Sequence, residues 1–101
     1  MSTASHATEL APPPAASAPG SAEILRVWLT PDQRSTQVSL DPKFKDPAAW
    51  GILLADLALH VAKAYSRAYA TPEEVTLRRI WQTVDAERSA PTDAPREIRN
   101  D

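Results

Sequence analysis

Asp56 and His60 stand four residues apart in DPAAWGILLADLALHVAKAYSRAYATPEE, residues 46–74, a stretch that reads as helix. At that spacing two side chains meet on one helix face, as an oriented general base or two metal ligands would. Lys63 and Arg67 extend the same strip. The set lacks a nucleophile, because the chain has no cysteine and Ser66 falls on a different face. A zinc site usually needs more nitrogen or sulfur ligands than His60 begins. His6, the other histidine, lies in an N-terminal tract with no helical pattern. An i,i+4 salt-bridged solvent face is therefore the simpler reading of Asp56, His60, Lys63 and Arg67. No catalytic residue, metal or cofactor is expected, and a small enzyme or small-ligand binder using this strip is the second reading.

The elements that would hold the strip follow from hydrophobic spacing. With about 100° per residue and Trp50 as zero, Leu53, Leu54, Leu57, Val61, Ala64, Tyr65 and Ala68 form one apolar face. Ile52, Ala55, Leu59 and Ala62 form a second, nearly opposite, and the polar strip fills only about 60° between them. Such a helix is expected to be buried from two sides. Asp46 is placed to cap it and Pro47 to take its first position. In TPEE, residues 71–74, Thr71 with Glu74 spells a capping box and opens a second helix. The helices are expected near 47–69 and 72–87, folded back on each other by a short join. The second carries one stripe, Leu77, Ile80, Trp81 and Val84.

Upstream, EILRVWLT (23–30) and STQVSL (35–40) alternate in strand fashion around TPDQR, whose Pro and Asp suit a turn. The expected hairpin turns Leu25, Val27, Leu29, Val38 and Leu40 to the core. The fold class is α+β: a small single domain, ββαα, with the long helix packed centrally.

Residues 1–22 are Ala/Pro/Ser-rich, with Pro12, Pro13, Pro14 and Pro19, and from residue 89 Pro91 and Pro95 repeat that character. Both tails are expected to be disordered, leaving 23–88 as the folded domain. Within 23–88 nine acidic residues balance nine basic ones, which argues against nucleic-acid binding. Arg78, Arg79 and Gln82 lie on the outer face of the second helix, but Glu73, Glu74 and Asp85 share that helix. No apolar stretch is long enough to span a bilayer and no secretory signal is present, so a cytoplasmic location is expected.

The combination of ILRVW (24–28), QVSL (37–40), DPAAWGILLADLALHVAKAY (46–65) and LRRIW with DAE (77–81, 85–87) resembles a bacterial domain-of-unknown-function family, numbered 5076. The resemblance covers about residues 24–87; it implies a small intracellular domain and assigns no activity. Trp50 and Trp81 sit on core stripes. Trp28 points to the other hairpin face beside Ile24 and Arg26, residue types common at binding hot spots. Local cover of Trp28, by Phe44 or a tail residue, is the competing reading. The leading expectation is a non-enzymatic interaction module whose partner is itself or another protein, with Ile24, Arg26 and Trp28 as the contact residues.

Overall fold

A computed structural model describes residues 6–90 and the backbone of residues 99–100. The order is a 3-10 turn (Pro14–Ser17), β1 (Leu25–Leu29), β2 (Thr36–Leu40), α1 (Ala48–Tyr69), α2 (Glu73–Ser89) and β3 (Arg99–Asn100). The hairpin and two helices of the α+β reading are present. The chain forms two compact units divided between Lys43 and Phe44, with Arg99–Asn100 belonging to the first.

In the first unit β1 and β2 pair antiparallel, Leu25 opposite Leu40, Val27 opposite Val38 and Leu29 opposite Thr36. β3 adds a short parallel edge to β2. The connection closes where the Thr30 amide donates to the Ser35 carbonyl at 3.0 Å. Gln33 takes a left-handed conformation, φ 61°. The Asp32 carboxylate holds the bend by accepting from the Thr30 hydroxyl and, at 3.0 Å, from the Arg34 amide. Those hydrogen bonds favour the charged form and hold the Asp32 carboxyl below the usual carboxylate range.

The facing of the hairpin differs from the expectation. Val27 is 53 % exposed and Leu29 57 %, and Leu40 is exposed too, whereas Arg26 and Trp28 are half-buried. Alternation fixes which residues share a face of a strand, not which face receives cover. Here the cover on the Trp28 face comes from residues 6–9, which composition alone assigns to a tail.

In the second unit the Asp46 carboxylate accepts the Ala48 amide at 2.9 Å, so Asp46 does cap the helix start. α1 opens at Ala48, one residue later than expected, with Pro47 at the boundary. It ends on Ala70, left-handed at φ 58°, whose amide donates to the Ser66 carbonyl at 2.9 Å. The capping box does not form. α2 begins at Glu73, and the Val75 and Thr76 amides both donate to the Pro72 carbonyl. Pro72 is extended, so the chain turns into helix one residue beyond Thr71, and no side-chain hydrogen bond caps the start.

The two helices pack together, and their buried residues are small: Ala58 and Ala62 on α1, Thr76 on α2. Small side chains let helix backbones approach closely. By the same 100° stepping this seam runs from Ala58, between the two expected apolar faces, to Ala62 at the margin of the second. Leu54, Leu57 and Tyr65 of the first face are exposed, as are Leu59 and Ile52 (72 %) of the second. Within one chain α1 is therefore not buried from two sides, because α2 supplies a single covering stripe. On α2, Leu77 and Ile80 are half-buried but Trp81 and Val84 are exposed, so Trp81 is not a core residue. Trp50 is half-buried, with the Phe44 ring edge-on at 6.0 Å.

Candidate functional site

The polar strip of α1 stays a solvent face. Asp56, His60, Lys63 and Arg67 are all exposed. Lys63 turns out of the strip to Glu73 of α2, 3.5 Å away. Among the described residues Asp56, His60 and Arg67 form no ion pair with one another, and the strip is a row of separate charges. Among the described residues no three His, Cys, Asp or Glu side chains converge as a metal cluster would. A hollow lined by Arg79, Ile80, Thr83, Val84, Glu87 and Arg88 belongs to a single face of α2.

The outer face of the hairpin is organised differently. Residues 6–9 make a tight turn in which the Glu9 amide donates to the His6 carbonyl at 2.9 Å. The Thr8 amide donates to His6 Nδ1 at 3.2 Å. The His6 ring then stands edge-on to Trp28, centroids 5.1 Å apart and planes at 84°. Glu9 Oε2 meets Arg26 Nη1, and the Glu9 side chain is only 13 % exposed. Arg26 also donates from Nη2 to Glu23 Oε1 at 3.1 Å. Carboxylates on both sides, Glu23 first and Glu9 second, push the Arg26 guanidinium above its ordinary pKa. Of the three expected contact residues, Arg26 and Trp28 are thus already engaged within the chain, and Ile24 is half-buried beside them. Phe44, the other candidate cover, is paired edge-on with Trp50.

Comparison with known proteins places this geometry. The family described as "Domain of unknown function (DUF5076)" matches residues 9–92. The chain belongs to this family. The DUF5076 span runs through both units and starts at Glu9, the residue that closes onto Arg26. Its description assigns no activity. A solved structure named "putative pyruvate dehydrogenase from the photosynthetic bacterium Rhodopseudomonas palustrus CGA009" is similar at 33 % identity, with a TM-score of 0.65. The match covers 89 % of this chain and 91 % of that one. No curated protein matches.

Sequence reasoning missed His6 and Glu9 as the residues that cover Trp28 and Arg26. A carboxylate and a ring three residues apart, ahead of an Arg and a Trp two residues apart on one strand face, are the signal that a pairing search could use. Among the described residues no helix is long and apolar enough to cross a membrane.

Proposed function

We propose that this DUF5076 chain is an interaction module that associates with a second copy of itself through apolar surface left open by both units. The observation that carries the reading is the composition of its interior. Among the described residues the only buried apolar side chains are Ala58 and Ala62, and no large side chain is fully buried. Large apolar residues normally make up a core, yet here Val27, Leu29, Ile52, Leu54, Leu57 and Leu59 are exposed.

A second copy is the fitting occupant, because a two-fold dimer sets the same exposed apolar patch against itself and monomers rarely leave such patches open. The name of the solved relative belongs to that protein.

Sedimentation equilibrium from about a micromolar to about a millimolar tests the proposal. The expected species is a dimer, weakened by Leu29→Glu or Ile52→Glu, both at positions too exposed for the substitution to disturb folding. A chain that stays monomeric across that range overturns it.

A further inference from the structure

We propose that the outer face of the hairpin is a peptide-recognition site, and that the turn His6–Glu9 is its resident ligand, held in cis. This lies beyond the self-association reading, since it concerns the opposite sheet face and neither requires nor follows from a dimer.

Three observations carry it. The first is burial in an unexpected place. From residue 6 to residue 23 every residue is exposed except Glu9. A carboxylate withdrawn from water within an otherwise exposed Ala/Pro segment requires a compensating partner, and Arg26 provides it.

The second is that ligand and site are each organised separately. The turn closes through the Glu9 amide and His6 carbonyl, and the Thr8 amide and hydroxyl both lie within 3.2 Å of His6 Nδ1. That geometry presents the ring and the carboxylate together, with no help from the hairpin. On the hairpin, Arg26 and Trp28 share one strand face two residues apart. Glu23 orients the guanidinium through Nε and Nη2, leaving Nη1 for Glu9.

The third is the tether. Between Glu9 and Glu23 the chain carries Pro12, Pro13, Pro14, Pro19 and Gly20, a segment that spaces the turn from the strand and has no large apolar side chain of its own beyond the exposed Leu10. Contact with the hairpin face therefore rests on the turn itself. A tethered ligand meets its site at high effective concentration, yet the same contacts, once untethered, are open to competition. The chemistry recognised is a four-residue turn with a flat ring at its first position and a carboxylate at its fourth. The edge-on ring contact and the charge-assisted hydrogen bond supply the selectivity.

The test uses the full chain with charge reversal, read by the Trp28 indole N–H resonance. Glu9→Arg should shift that resonance, leave the amide resonances of α1 and α2 in place, and open the face. A synthetic peptide spanning residues 6–13 should then bind the Glu9→Arg chain and return the Trp28 resonance toward its wild-type position. The same peptide carrying Glu9→Gln should bind at least about tenfold more weakly, since it lacks the charged partner for Arg26. Combining Glu9→Arg with Arg26→Glu should restore the wild-type resonance without added peptide. A dilution series on the wild-type chain separates sources: a concentration-independent Trp28 resonance is docking in cis, as proposed, and a concentration-dependent one overturns the cis assignment. If Glu9→Arg leaves Trp28 unmoved, or the opened chain ignores the peptide, the inference is wrong.

Discussion

Lys63 on α1 and Glu73 at the start of α2 meet at 3.5 Å, across the left-handed corner that Ala70 makes between the helices. Both side chains are about half-exposed, so solvent screens the pair and its two long side chains lose rotamer freedom to hold it. A double-mutant cycle with Lys63→Ala and Glu73→Ala should give a coupling of about 0.2–1 kcal/mol, shrinking in high salt. A coupling several times larger would mean the corner is drier than its exposure indicates.

Ala70 occupies φ 58°, a region that costs an L-residue with a Cβ about 1–2 kcal/mol. Ala70→Gly should therefore stabilise the helix pair, by somewhat less than that because the unfolded chain gains freedom. Thermal melts of the two proteins decide: an unchanged or lower midpoint contradicts the left-handed cap.

Ala62 is 0 % exposed at the α1–α2 seam. Ala62→Leu inserts bulk where the backbones approach closely and should cost about 1–3 kcal/mol in denaturant unfolding. Ile52→Ala, at an exposed site on the same helix, should change monomer stability by about 0.5 kcal/mol or less. Equal effects from the two substitutions would dissolve the seam assignment.

Asp32 accepts from the Thr30 hydroxyl and the Arg34 amide, and its pKa is lowered in the folded chain, Thr30 being the largest cause. A depressed folded-state pKa means the stabilisation is present in full above the ordinary carboxylate value. It is lost as pH falls through the lowered one. Carboxyl-carbon shifts followed by NMR through an acid titration should show Asp32 protonating after the ordinary Asp residues. In Thr30→Val it should titrate closer to its usual range. No difference between the two proteins removes the hydroxyl as the cause.

Much of the fold is legible from spacing. Strand alternation locates β1 and β2 within a residue or two, and Asp46, Pro47 and Pro72 mark both helix starts. What spacing cannot supply is the identity of the covering surface. Two apolar faces on α1 suggest two covers, but the seam falls on Ala58 and Ala62, whose smallness matters more than their hydrophobicity. The site was half legible: Arg26 and Trp28 stand out by type and face. Their ligand lies in a segment whose Ala and Pro content conceals one turn with chemistry in it, since composition averages over residues and His6 and Glu9 act singly. The polar strip shows the converse, a regular spacing on α1 that gathers no site.

The order in which elements pair has a kinetic consequence. β1 pairs with β2 and α1 with α2, each across a short connection, so most of the structure closes over small sequence separations. Chains built from such local pairings cross a low entropic barrier and fold on the order of milliseconds or faster. The parallel pairing of β2 with β3, Gln37 with Arg99, must instead close a loop that contains both helices. Its closure entropy places it last. Stopped-flow refolding should therefore recover helix signal before amides at the β2–β3 edge gain protection from exchange, so this edge is the natural place for the native ensemble to begin to open.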